Sequence, residues 1–536
     1  MKLKLSRIFL SALILSAPLT MAACSDDDDN NPPGDGDGDT AGDGDGDGDG
    51  DGDGDGDVTT AGDGDGDGDG GAGGTSGDGD GDVTSGDGDG DVTGDGDGDT
   101  DTSEPEPPPE CEYEAEGLFC LDDCAAAGGP GDRVKDASVG AFLESKTWMD
   151  GWTNWSRDSS DVTEARPLPS VPNDCNFDGT NGDVCTWLSE DIADDLTLTA
   201  DKVWGLIGPV HVLDGVTLTI EPGTVIKGDG FSKGSLIVTR GAKIDAEGTA
   251  EDPIVFTSLA ANGDKAKGQW GGLIVLGKAS NWKGGNVQIE GLADDPLNKY
   301  GADAVTDGST DDDDSGTLKY VRIEFGGVEF ATDQEINGLT LGSVGSETDI
   351  SFIQVNTTLD DGIEWFGGTV DVDHIVVNNA GDDMVDIDQG YRGTVDTFFG
   401  RQVVPSTSDP NGFEWDSDKS AGDAGVGLLP ATNVIFQNGT MCGTGKLGKP
   451  NYGMVLRENI TGSIDNLAFM GFDIGIDTRD DFLIAGGSDP KVTITNSASW
   501  YHIDGVALDA ADPGNDAGFD EAAWYEDEDS NVNLDE

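Results

Sequence analysis

Ile353-Gln354-Val355-Asn356 returns 22 residues later as Ile375-Val376-Val377-Asn378, and the same interval carries Ile363 to Val385. Alternate residues of a strand face one way, so each run turns two apolar side chains inward. A repeat of this length suits one coil of a parallel β-helix, in which three short strands stack on their counterparts roughly 4.8 Å away. Outward from this pair the same texture runs from about residue 196 to 507. Thr217 to Ile220, Thr224 to Lys227, Ser235 to Thr239, Ile254 to Thr257 and Leu273 to Leu276 are short β runs parted by Gly, Asp and Asn. Those three residues fill sharp corners where φ is positive. Helical periodicity is nearly absent, and the Asn-Gly turns of antiparallel hairpins are sporadic. The expected fold is all-β, a single-stranded parallel β-helix over residues 196–510 with an acidic tail at 511–536.

Stacking in register makes neighbours of residues one coil apart. Asp360, Asp361 and Glu364 fall on one coil, Asp382, Asp383, Asp386 and Asp388 on the next, and Glu414, Asp416 and Asp418 further on. The 22-residue interval places Asp361 over Asp383. Carboxylates held that close do not all ionise freely; they take up a cation or raise some of their pKa values. With Asp360, Asp386 and Asp388 as metal ligands the cluster is a cation site, and Ca2+ is the oxygen-seeking candidate. With Asp361, Asp382 and Asp383 as catalytic acids and bases it is a polysaccharide hydrolase or lyase site. Solvated corner residues are the plain alternative. Glu364-Trp365 and Glu414-Trp415 each set a Trp beside an acid, which reads as a sugar-binding platform or as closure of the core.

Other chemistries find little support. His211, His374 and His502 stand alone, so neither a Ser-His-Asp set nor a zinc site assembles. Gly443 to Lys449 imitates a phosphate loop, but Pro450 takes the place of the magnesium-binding hydroxyl and no helix follows. Ala293 to Gly316, with Asp311 to Asp314, reads as a polar insertion between coils, either a cation-binding flap or a disordered loop.

The start of the chain gives an address. Lys2, Lys4 and Arg7 precede an apolar stretch from Ile8 to Leu19 that is too short for a membrane span, so residues 1–23 are expected to be a signal peptide. Met21-Ala22-Ala23-Cys24 is similar to a lipobox, which implies a lipid on Cys24 and attachment to the membrane through it; Met21 stands where Leu is usual. Ser25 and the run Asp26 to Asp29 are similar to the signal that carries some Gram-negative lipoproteins to the outer face of the outer membrane. Residues 26–101 hold 29 Asp and no Lys or Arg. Such a Gly/Asp repeat buries too little to fold, so 24–110 is expected to be a disordered tether with a reach of roughly 50 Å. Taking those 29 charges and the three leading basic residues from the net −81 leaves −55 on the rest. That field repels nucleic acid, which is not an expected partner. Besides Cys24 there are Cys111, Cys120, Cys124, Cys175, Cys185 and Cys442, enough for three disulfides in an exported chain. Most lie in 111–195, whose Trp-rich stretch from Asp132 to Trp155 reads as a cap over an end of the solenoid.

The phrases TLTIEPGTVIKG (217–228), LIVTRGAKIDAEGTAEDPIVFTS (236–258), QWGGLIVLG (269–277), GTLKYVRIEFGG (316–327), EINGLTLGSVG (335–345) and DDGIEWFGGTVDVDHIVVNNAGDD (360–383) resemble, in order, a group of bacterial surface lipoproteins and secreted proteins. The resemblance implies a right-handed, pectate-lyase-like parallel β-helix and no catalytic residue. Asp361-Gly362-Ile363 with Gly381-Asp382-Asp383 is also similar to the acidic centre of polygalacturonases, although that family's following Gly-His-Gly and Arg-Ile-Lys motifs have no counterpart here. The leading expectation is a lipid-tethered surface β-helix that binds an extracellular polysaccharide or a cell-surface protein, with cations supporting its acidic corners. The rivals are the hydrolase or lyase and a purely structural coat protein.

Overall fold

The computed structural model describes residues 141, 146–154, 185–261, 264–302, 309–330, 334–402, 410–417, 430–443, 451–479, 492–500, 525 and 531–533. Cys24, the tether, Asp418, His502 and most of the phosphate-loop lookalike lie outside them.

From Cys185 onward the described chain coils as a parallel β-helix. Ile353 pairs with Ile375, and Ile363 with Val385, in parallel register, so the 22-residue interval is one coil. The runs read from sequence form strands at Thr217–Ile220, Val225–Gly228, Ser235–Val238, Ile254–Ser258 and Gly272–Leu276. Stacked, they make a sixteen-stranded and a nine-stranded sheet. The larger sheet turns a corner, giving the coil three sides. Within Gly316–Glu324, Thr317 and Leu318 pair with Asp245 and Ala246, whereas Val321 and Ile323 pair with Ile254 and Phe256. Tyr320, between them, takes the left-handed conformation at φ 49°, and Phe352, His374, Thr397, Asn438, Asn466 and Asn496 repeat that bend on later coils. Inward residues from all three sides, among them Leu218, Val321, Leu341, Ile353, Ile375 and Phe398, form one continuous core. β-Branched and aromatic residues fill it, as a pleated surface buried on its inner face favours.

The outer side of the Ile353 and Ile375 strands is also buried, at Arg322, Gln354, Val376 and Phe399. Ala141 and residues 146–154 cover it. The Ala141 N–H donates to Thr440 Oγ1 at 3.0 Å and the Asn154 N–H to Gln354 Oε1 at 2.7 Å, while Asn154 Nδ2 donates to Glu324 Oε1 at 2.9 Å. Trp152 meets Tyr320 and Phe352 edge-on. Within the stretch expected as an end cap, these described residues form a lateral strap, and the remainder of 111–184 lies outside the described residues. Val376 and Phe399 give the physical reason, since an outward apolar face needs a cover. Cys442, on the same side beside Met470, is disulfide-bonded.

Between Leu276 and Gly316 the chain leaves the coil as a flap. Val287–Gln288 and Lys299–Tyr300 form an antiparallel ribbon. Ile289, Leu292 and Tyr300 pack on Ile237, Ile274, Leu276 and Phe366, on the outer face of the nine-stranded sheet. Within the stretch expected as a cation-binding flap or a disordered loop, Asp311 and Asp314 act as fasteners. Asp311 accepts from Ser280 Oγ at 2.7 Å and from Arg392 Nη2 at 2.8 Å, and Asp314 pairs with Lys243.

Candidate functional site

On the nine-stranded sheet, register lines up Thr340, Glu364, Asp386 and Glu414 in one row, with Phe366 and Asp388 in a second. These rows face outward. Ile363, Trp365, Val385, Ile387, Phe413 and Trp415 alternate with them and belong to the core. Trp365 and Trp415 are 0% exposed, so the expected sugar platform is corrected. The period of two that turns Glu364 and Glu414 out turns the next residue in.

Just before this row the chain rounds a corner at Asn337, Asp361, Asp383 and Asn411. The Asp383 N–H donates to Asp361 Oδ1 at 2.8 Å, the Asn411 N–H to Asp383 Oδ1 at 3.1 Å, and the Tyr452 N–H to Asn411 Oδ1 at 2.9 Å. Asp361 thus stacks on Asp383 as the spacing predicts. Both acids have a structural task, each accepting an amide of the next coil, and both are buried. Asp360 and Asp382 stand beside them, half-buried. Asn337 Nδ2 donates to Glu364 Oε2.

Oxygens of Asp360, Asp361 and Asp382 lie within 4.8 Å of one another, and so do those of Asp361, Glu364 and Asp386. Burial and mutual repulsion both oppose ionisation there. Burial first, then Asp382, Glu335 and Glu290, hold the Asp360 carboxyl well above the usual range. Asp361, Glu364, Asp383 and Asp386 are likewise pushed well above it, by burial first and by neighbouring carboxylates second. Burial and then Asp416 raise Asp388 to about 7. At the far end of the row Arg457 pairs with Glu414 at 2.5 Å and Asp416 at 2.6 Å, and its charge also relieves Asp386. Asp386 Oδ1 and Asn337 Oδ1 are buried and make no hydrogen bond among the described residues.

The expected metal set is divided by this geometry. Asp360 and Asp386 fall in different triads, and Asp388 belongs to neither. The expected catalytic set stays together as the stacked pair Asp361 and Asp383 with Asp382 beside them. Sequence reading missed Glu290, which the flap supplies, along with Glu335, Asn337 and Arg457. Only Asn337 carried a signal, standing two residues before Leu339 as Asp361 stands two before Ile363.

A family described as a pectate-lyase-like β-helix domain matches residues 190–513, more than half of the sequence. The chain belongs to that family. No curated protein matches the sequence. A pectate-lyase-like β-helix is compatible with a polysaccharide-related role, and here its outer face carries stacked acids. No helix among the described residues is long and apolar enough to cross a membrane.

Proposed function

We propose that this pectate-lyase-like β-helix is a lipid-tethered surface protein whose acid row binds an extracellular ligand, a polysaccharide or another cell's surface, through a divalent cation such as Ca2+. The reading rests on the convergence of Asp361, Glu364 and Asp386 oxygens on an outward sheet face. Ca2+ takes about six to eight oxygen ligands, so three carboxylates leave places for sugar hydroxyls or a sugar carboxylate. Full-length protein is expected to be retained on a polysaccharide matrix in Ca2+ and released by EDTA, with Asp386→Asn retained at least about tenfold more weakly, the loss of one charged ligand at about 1.5–3 kcal/mol. Equal retention of both proteins with and without EDTA would remove the support.

A hydrolase or lyase working through Asp361, Asp382 and Asp383 fits less well, because Asp361 and Asp383 each commit an oxygen to the next coil. Product release from acidic glycans that disappears in Asp382→Asn would reinstate it. A structural coat protein would show neither retention nor turnover. The membrane address belongs to the same proposal and is supported by the Cys24 motif. Cys24→Ser is expected to shift the protein from the membrane to the soluble fraction; unchanged fractionation would count against the lipid anchor.

A further inference from the structure

We infer that Glu290, on the flap, closes over the cation held by Asp361, Glu364 and Asp386, which makes the flap a cation-operated lid on the acid row. The inference rests on the cation-dependent reading above and adds the regulation of that site.

The turn that carries Glu290 is held in shape by its own hydrogen bonds. Gln288 Nε2 donates to the carbonyls of Ile289, Leu292 and Ala293, each at 3.0 Å, and the Ile289 N–H donates across the ribbon to the Asn298 carbonyl at 2.9 Å. Ile289 and Leu292 dock this turn on the sheet, while Glu290 between them stays exposed. Gly291 marks where the turn lands. It takes φ 71°, which glycine adopts freely, and a Cβ there would come within 2.2 Å of the Glu335 carbonyl oxygen and 2.5 Å of Ile336.

The stretch it touches leads directly to the acids. Asn337 follows Ile336, is 3% exposed, and donates from Nδ2 to Glu364 Oε2. That bond turns the amide oxygen the other way. Asn337 Oδ1 meets no hydrogen-bond partner among the described residues, and Asp386 Oδ1 is buried in the same state. Two lone acceptors beside three converging carboxylates suit a hard cation, which gathers carboxylate and amide oxygens alike.

Glu290 brings to that cluster the wrong charge for docking. After burial and Asp386 it is the next influence on Glu364, and Asp360 feels it after burial, Asp382 and Glu335; Lys283 on the same flap balances part of it. Apolar packing therefore holds the turn down while like charge pushes it off. A divalent ion inverts the second force, because it becomes the largest charge in the site. Glu290 lies outside both oxygen triads, so its capture by the ion draws the flap further in.

Hydrogen exchange of the full-length chain, in saturating Ca2+ and in EDTA, is the test, with flap amides 287–300 read separately from coil amides 361–388. Coupling is reciprocal: whatever factor Glu290 adds to Ca2+ affinity, Ca2+ adds to flap closure. For one charged ligand that factor is about tenfold, so flap exchange is expected to slow about tenfold in Ca2+. Glu290→Gln, at an exposed position, should fold as wild type does, keep the Ca2+ effect on the coil amides and lose it on the flap. Asp386→Asn should lose both effects. If Ca2+ slows the coil but not the flap in wild type, or slows the flap equally in Glu290→Gln, the lid is wrong and the cation-dependent reading survives. If Ca2+ slows neither in wild type, or slows both as strongly in Asp386→Asn, both fall.

Discussion

Trp365→Ala is expected to lower stability by about 3–5 kcal/mol, the range for emptying a buried aromatic site. Trp365 is 0% exposed, and its ring centroid lies 5.6 Å from that of Tyr391 inside the core. Its Nε1 has no hydrogen-bond partner among the described residues, so Trp365→Phe sacrifices no polar contact there and should cost under about 1.5 kcal/mol, as for other swaps that keep most of the volume. Urea unfolding of the two variants measures both. Glycan retention by folded Trp365→Phe should match wild type. A sugar platform predicts the inverse, with retention lost and stability unchanged.

The second large effect concerns pH. In EDTA the fold is expected to lose stability as pH rises from about 4, the unfolded carboxylate range, through 7 and beyond. The sign follows from proton binding. Asp360, Asp361, Glu364, Asp383 and Asp386 have folded-state values well above their unfolded ones, and Asp388 is raised to about 7. Between the unfolded and folded values the native state holds more protons than the unfolded chain, so stability falls with rising pH. Asp388 gives up its share by about 7, and the more strongly raised groups extend the loss higher. A bound cation takes over the protons' task. Ca2+ at a hundredfold excess over its Kd should return about 2.7 kcal/mol per site at neutral pH. Urea midpoints across pH 4 to 8, in EDTA and in Ca2+, provide the comparison. A midpoint that rises with pH in EDTA would show that these acids are ionised and satisfied by other means.

Much of the architecture was legible because one signal was both local and uniform. Ile353 to Ile375 and Ile363 to Val385 share one interval and no insertion interrupts them, so period alone yields the register. Val385 to Phe413 is also a single coil step, but residues beyond Arg401 lengthen that coil and hide the repeat. The position of Asp361 over Asp383 followed directly. Of the two readings of Trp365 and Trp415, closure of the core holds; the sugar platform took proximity in sequence for proximity on one face, whereas adjacent strand residues point to opposite sides. Glu290 and the strap were hidden for a different reason. The flap brings Glu290 to Glu364 from 74 positions away, and Ala141 meets Thr440 across 299. No period links such residues; tertiary packing alone brings them together.

Stacked coils gather Asp361, Glu364 and Asp386 into one oxygen-rich cluster, and the thermal unfolding midpoint of the full-length chain at neutral pH, titrated with Ca2+, tests that claim most directly. The midpoint is predicted to climb in wild type and to climb far less in Asp361→Asn, whose neutral side chain keeps the corner hydrogen bond but loses the ligand charge. The same rise in both proteins, or none in wild type, would contradict it.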